Sequence, residues 1–406
     1  MAIPAPQEMI RRLRLLPAAQ VLLDRLDPGR PVYLVGGAVR DLLLGQLPPD
    51  LDLMVDGDVR ALARDLDAGV LIHDRFGTAT FRIDGFVFDV ARTRRERYPH
   101  PGSLPEVEPA RLEEDLLRRD FTVNAIAMAL GEPQPGSITA APRALGDLSD
   151  RVLRVLHDGS FTDDPTRLLR LARYESRLGF EVEEHTGRLA AEAVARGALA
   201  TVSGPRVGAE LRLLAREPDP VAALAALERL GLAKAIHVAL GLTDVQQAQR
   251  ALAILGPHGR RDLLVLGLAS QGIRAGELGP LLDRLSFEAP ERRKIVAVAT
   301  GPGALSAALS RAGSPSEIAA AVGEAPPELV AAAGARTSEE QARQWLNELR
   351  AVRLEIDGAD LLAAGIPEGP AIGRGLRAAL SAKLDGRAHG PQEELARALR
   401  AAKESQ

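Results

Sequence analysis

Apolar and polar positions follow two rhythms along this chain, and the change falls near residue 145. Before it, short apolar runs bounded by glycine turns read as strands: PVYLVGG (31–37), LDLMVDGD (51–58), GTATFRIDGFVFDVA (77–91) and FTVNAIAMAL (121–130). After it, leucine and alanine recur at helical spacing, broken near 203–205, 256–257, 301–303 and 326–327 by glycine and proline. This predicts an α+β block followed by an all-helical remainder. GEPQPGSITAAPRA (131–144) reads as the joining loop, and Ala319 to Ala335 as the least structured stretch by composition. No fixed-period repeat is present.

The chain has 406 residues, enough for two to four domains at roughly 150 residues each. With 46% hydrophobic and 26% charged residues it has the balance of a folded globular protein. No apolar run reaches the ~18 residues that cross a bilayer. The opening MAIPAPQEMIRRLRLL lacks the order of an export signal, so the expectation is cytoplasmic, with no membrane. The absence of cysteine excludes disulfides, thiolate zinc sites and cysteine nucleophiles, so any metal is held by oxygen or imidazole. A net charge of −4 argues against nonspecific coating of nucleic acid. Of 51 basic residues only Lys234, Lys294, Lys383 and Lys403 are lysine, leaving 51 − 4 = 47 arginines. Base composition of a genome gives the same bias, so only the placement of arginines is informative.

Val32 to Val35 reads as a strand, Gly36-Gly37 as a tight turn and Ala38 to Leu44 as a short helix. A glycine pair lets backbone approach phosphate oxygens, and Arg40 could add a charged fork. The same turn also serves structure alone. Ten residues further, Asp50 and Asp52 alternate with Leu51 and Leu53, which places both carboxylates on one strand face. Neighbouring carboxylates repel unless a hard cation neutralises them, which suits Mg²⁺. A phosphate cradle followed by paired aspartates is what metal-assisted nucleotidyl transfer requires. Asp89 could add a third carboxylate, although an outward strand residue is the simpler reading.

Glu113 to Asp120 forms a charged helical turn ahead of a strand, where Arg119 and Asp120 could grip a nucleotide. In DDPTRLLRLAR, Pro165 marks a helix start and Asp164 is a candidate N-cap. Arg167, Arg170, Arg173 and Arg177 share one helix face opposite Leu168, Leu169 and Leu171 at about 100° per residue. Like charges so arranged require an anion. An acid and an arginine at i, i+3 can also present an acceptor and donors to a base edge.

The stretches YLVGGAVRDLLLGQLPPDLDL, LEEDLLRRDFTVNAIAM and LGDLSDRVLRVLHDGSFTDDPTRLLRLARYESRLGFEVEEHT resemble the class II tRNA nucleotidyltransferases (CCA-adding enzymes) and the related bacterial poly(A) polymerases. The tail IDGADLLAAGIPEGPAIGRGLRAALSAKLDG is similar to the C-terminal segment of the tRNA-directed members. The resemblance implies an α+β nucleotidyltransferase head of the polymerase-beta-like type (1–144), a helical neck and RNA-binding region (145–256), and a helical, tRNA-binding body and tail (257–406). It implies that Asp50 and Asp52 hold Mg²⁺ and are catalytic, and that Gly36, Gly37 and Arg40 meet the triphosphate. By the same resemblance Arg119 binds the nucleotide, Asp164 and Arg167 read the base of CTP or ATP, and Arg170 and Arg173 continue the phosphate site. The implied partner is tRNA, through its acceptor arm and 3′ end.

Two departures stand out: Asp163 occupies the position of the family's usual glutamate, and the joining loop lacks the particular acidic residue that the family often has there. The segment Arg95 to Leu112 is of full length, which in this family favours CCA addition or terminal A addition over CC addition. A poly(A) polymerase is the alternative, disfavoured by the acidic balance and the ending AAKESQ; a silent RNA-binding protein is a weaker one. The doublets His73-Asp74 and His157-Asp158 lack the clustering of a phosphohydrolase site.

Overall fold

A computed structural model describes residues 3–73 and 77–403. The strand-like runs become β1 (Val32–Val35), β2 (Asp52–Val55), β4 (Thr78–Ile83), β5 (Phe86–Arg92) and β8 (Ile126–Ala129), joined by β3 (Gly69–His73) and β9 (Ile138–Ala140). They form one seven-stranded sheet in the order β3-β4-β5-β2-β1-β8-β9. Only the β2–β5 pair is parallel; the other pairs are antiparallel. All four residues of β1 and of β8 are buried, as expected of central strands covered on both faces. A separate hairpin joins β6 (Arg94–Arg97) to β7 (Glu106–Pro109) and falls largely within the segment Arg95 to Leu112.

Two details differ from the sequence expectation. β2 begins at Asp52, so Asp50 lies in the bend before it rather than on the strand. The helical part also contains a short parallel pair, Val152–Leu153 against Glu181–Val182.

Two compact units divide the chain. One takes residues up to Glu210 together with Arg229–Ala235; the other takes Leu211–Glu228 and everything from Ile236 onward. This division falls elsewhere than 144 and 256. In the first unit, helix Thr166–Leu178 is fused to the sheet block: Leu168, Leu169, Leu171 and Ala172 are buried, Tyr174 meets Phe121 edge-on at 5.9 Å, and Arg170 pairs with Asp120. Asp164 starts this helix by accepting from the Thr166 N–H at 3.0 Å, and Gly179 ends it at φ 63°.

The second unit is helical. The stretch expected to be least structured forms helices Pro315–Val322 and Pro327–Thr337, whose run Val330 to Ala335 is buried. Small side chains permit that burial: a Cβ on Gly334 would lie 2.4 Å from that of Ala342 on helix Glu339–Asn347. Among the described residues no helix is long and apolar enough to cross a membrane.

Candidate active site

The glycine turn after β1 opens into a cavity of 490 Å³, lined by Gly36, Gly37, Asp52, Arg119, Asp120, Asp164, Arg167 and Arg170, and by Glu96, Tyr98, Arg118, Asn124, Tyr174, Arg206 and Glu210 among others. Residues more than a hundred positions apart in sequence meet here. Gly36 has φ +67°, in the left-handed region, and a Cβ on it would sit 3.1 Å from Arg119 Nη1. The guanidinium of Arg119 therefore lies close over a bare stretch of backbone. Its Nε is buried and has no hydrogen-bond partner. Asp115 holds the other side of the group at 3.2 Å, and burial lowers the Arg119 pKa while the charge of Asp115 opposes that shift.

Asp52 stands at the start of β2 in register with Asp89 on β5. Its pKa is raised, chiefly by burial, then by the negative charge of Asp89, with Asp50 adding to it and Arg119 opposing. The two register partners, Asp52 and Asp89, also line an adjoining cavity of 430 Å³. Thr80 Oγ1 donates to Asp89 at 3.0 Å. Among the described residues no cluster of three or more histidines or carboxylates forms a ready-made metal cage. An oxygen-only set whose negative charge Arg119 only partly offsets fits a cation that takes one or two carboxylates and completes its shell with substrate phosphates. Asp50, exposed in its bend, joins this set by its charge.

Asp164 and Arg167 are both braced by neighbouring groups. Asp164 Oδ1 accepts from Thr166 N–H at 3.0 Å, Thr166 Oγ1 at 2.6 Å and Arg206 Nη2 at 2.7 Å, which leaves Oδ2 as the acceptor for a ligand. Arg167 donates Nη1 to Ser160 Oγ at 2.8 Å and Nη2 to the Arg118 carbonyl at 2.6 Å. Asp163 plays no part in that support: its carboxylate lies 4.0 Å from His157 Nδ1.

The arginine face finds its anions within the protein. Arg170 donates Nε and Nη2 to Asp120 Oδ2 at 2.8 and 2.6 Å and reaches Glu210 at 3.4 Å, and Arg173 Nε lies 3.6 Å from Glu210. Against the cost of burial, Tyr174, Asp120 and Glu210 drive the Arg170 pKa up. Arg173 is buried beside Tyr174 and is absent from the cavity wall, and Arg177 points to solvent. Arg40 is also displaced from its expected place. It is 2% exposed, bonded to Asp41 at 2.8 Å and to Asn124 Oδ1 at 2.6 Å, so it braces the turn instead of lining the cavity. Five guanidinium groups (Arg118, Arg119, Arg167, Arg170, Arg206) thus face five carboxylates (Asp52, Glu96, Asp120, Asp164, Glu210) across the cavity wall. A polyanion gains little from so balanced a wall unless a cation accompanies it.

Sequence reasoning missed Glu96, Tyr98, Arg206 and Glu210. For the first two a signal existed: in RRERY, alternation puts Arg94, Glu96 and Tyr98 on one strand face. His157 has its pKa lowered by burial, and Asp158 pairs with His185 at 2.8 Å. Asp74 and the side chain of His73 lie outside the described residues.

A model of the "Poly A polymerase head domain" matches residues 32–154. A "CC-adding tRNA nucleotidyltransferase" of Deinococcus radiodurans is 35% identical over 92% of this chain and 90% of its own length. The chain belongs to the tRNA nucleotidyltransferase family. An "A-adding tRNA nucleotidyltransferase" of Geobacter sulfurreducens is 35% identical over 92% of this chain, of which family member the chain spans 45%. The chain spans about half or less of the length of the A-adding relatives. Among solved structures, the Thermotoga maritima CCA-adding enzyme complexed with tRNA superposes with a TM-score of 0.74 at 29% identity, covering 99% of this chain and 100% of that one.

Proposed function

We propose that this protein is a template-independent tRNA nucleotidyltransferase that adds AMP, alone or after CMP, to the tRNA 3′ end and releases pyrophosphate. The observation that carries this reading is one cavity holding both a carboxylate beside the glycine turn, with the unpartnered Nε of Arg119, and the braced Asp164–Arg167 pair. The first group suits a triphosphate and the second a base.

Cytosine and adenine each present an exocyclic amine beside a ring-nitrogen acceptor. Asp164 Oδ2 accepts from the amine and Arg167 donates to the ring nitrogen. Uracil and guanine place a carbonyl oxygen where the amine would be, opposite a carboxylate, and are rejected by charge and by an unmade hydrogen bond. Arg119 holds the triphosphate over Gly36, while Asp52 and Asp50 would hold Mg²⁺. When bound, that ion lowers the pKa of the attacking ribose hydroxyl and offsets the charge developing on the α-phosphate. The hydroxyl oxygen forms the new bond to the α-phosphorus and gives up its proton to solvent, the bond to the bridging oxygen breaks, and pyrophosphate departs with its electron pair. Enzyme residues supply position and electrostatics, with no covalent intermediate. A cytoplasmic setting and a tRNA-binding role for the helical second unit belong to this proposal.

Separate incubation of tRNA ending before CCA and tRNA ending in CC with labelled CTP and ATP tests it. AMP incorporation into the CC-ended tRNA is expected, and incorporation into neither refutes the reading. CMP incorporation into the shorter tRNA would assign full CCA addition, whereas long A tails on unrelated RNA would assign a poly(A) polymerase.

A further inference from the structure

Two in-plane hydrogen bonds from Asp164 and Arg167 fix which edge of a base is read, but they leave its tilt free. A flat apolar surface beside the edge readers would set the plane. Two of the chain's three tyrosines line this cavity. Tyr174 is unavailable as a surface: it is 8% exposed, meets Phe121 edge-on, and has the guanidiniums of Arg40, Arg170 and Arg173 within 5.6, 5.4 and 4.8 Å of its ring centre. Tyr98 is half-buried on the cavity wall just after β6.

Its hydroxyl is fixed. Tyr98 Oη donates to Glu96 Oε2 at 2.9 Å, and burial with the Glu96 charge keeps the phenol protonated by driving its pKa up. Glu96 is itself clamped at Oε1, by Arg94 Nη2 at 3.0 Å and Arg118 Nη1 at 2.7 Å. The Arg118 carbonyl accepts from Arg167. One bonded chain therefore runs from the ring of Tyr98 to the guanidinium that reads the base, and Arg167 and Asp164 are near enough to act on the phenol electrostatically.

We propose that Tyr98 is the stacking platform for the incoming base, held by Glu96 at a fixed setting relative to Arg167. The proposal rests on the nucleotidyl-transfer reading of the cavity and adds a specificity residue to it. A stacked face is indifferent to hydrogen-bonding pattern but rewards area, so Tyr98 favours adenine over cytosine, which the edge readers treat alike.

The test is calorimetric binding of ATP, CTP and inorganic tripolyphosphate to the full chain with Mg²⁺ present. Tyr98→Ala is expected to weaken ATP by about tenfold to a hundredfold, the scale of an aromatic–base stack. CTP should weaken less, and tripolyphosphate, which has no base, less than about twofold. Tyr98→Phe keeps the face and loses one hydrogen bond, so its ATP affinity should stay within about fivefold of the parent. Unchanged ATP binding in Tyr98→Ala, or equal weakening of ATP and tripolyphosphate, overturns the proposal. Should the alanine variant not fold, Tyr98→Leu is compared with Tyr98→Phe, and equal ATP affinities overturn it. Failure of the parent protein to extend tRNA would count against the functional reading alone, because these measurements need no tRNA.

Discussion

Replacing Asp120 with asparagine keeps the shape of the side chain and removes one charge from the bonded network behind the cavity. Asp120 Oδ1 accepts from the Phe121 N–H at 2.8 Å and from Asn124 Nδ2 at 3.1 Å, and an asparagine oxygen can keep both. Oδ2 takes two donors from Arg170, and there an amide would set its own N–H groups against N–H groups. Burial pushes the carboxyl of Asp120 up, yet Arg170 and Asn124 outweigh it and hold the pKa down at about 2, against an ordinary 3.8. At about 1.4 kcal/mol per pH unit that difference is worth about 2 kcal/mol. Leaving Arg170 without its main partner adds to this, since breaking a buried pair from one side costs about 3–5 kcal/mol, but Glu210 remains near Arg170 to soften the loss. The expected destabilisation of the first unit is therefore about 2–4 kcal/mol at pH 7. Because the folded pKa is depressed, the contribution is complete above the unfolded value near 3.8, declines as pH falls, and is gone below about 2. Hydrogen exchange of the Ile126–Ala129 amides in β8 reports opening of this unit without interference from the other. Their protection in the variant should fall by about a hundredfold near pH 7, and the gap to the parent should narrow between about pH 4 and pH 3 after correction for intrinsic exchange. Equal protection at pH 7, or a gap that ignores pH, would refute the assignment of Arg170 to Asp120.

Asp89→Asn removes a charge that raises the Asp52 pKa, so the acid limb of the transfer rate should move to lower pH with the plateau unchanged. A collapsed plateau would instead make Asp89 a metal ligand. Gly36→Ala forces a side chain into φ +67° against Arg119 Nη1. At about 1–2 kcal/mol of backbone strain plus a displaced guanidinium, KM for ATP should rise at least about tenfold in steady-state assays, and an unchanged KM would count against phosphate binding at the glycine turn. Arg206→Ala removes the charged bond to Asp164 and the 2.9 Å bond from Arg206 Nη1 to the Gly102 carbonyl, so ATP and CTP should both lose affinity, with faster tryptic cleavage after Arg97. Cleavage at the parent rate would show that the hairpin is held by other contacts.

The local parts of this site were legible because each is written in consecutive residues. A strand, two glycines and a short helix follow from four apolar positions and a turn, and the acid at Asp164 followed by Pro165 announces a helix start whatever else it does. Arg40 shows where such reading stops. Its position one turn into the helix was correct, but its direction depended on Asn124, 84 residues away, whose side-chain oxygen draws the guanidinium inward. The arginine face failed in the same manner. Periodicity placed Arg167, Arg170 and Arg173 together and rightly demanded an anion, but helical spacing says nothing about what lies opposite, and the anions proved to be Asp120 and Glu210, separated from Arg170 by 50 and 40 residues. Pairing with internal carboxylates changes the chemistry of the wall. A cavity of unpaired arginines would bind any polyphosphate unaided and release pyrophosphate slowly. On the proposed reading, a wall with as many carboxylates as guanidiniums would hold a triphosphate only with its accompanying cation, and would leave discrimination to the few unspent groups: Arg119 Nε, Asp164 Oδ2 and the face of Tyr98. Those groups come from three separated segments of the chain. Their convergence is a property of the packed fold, which no single motif contains.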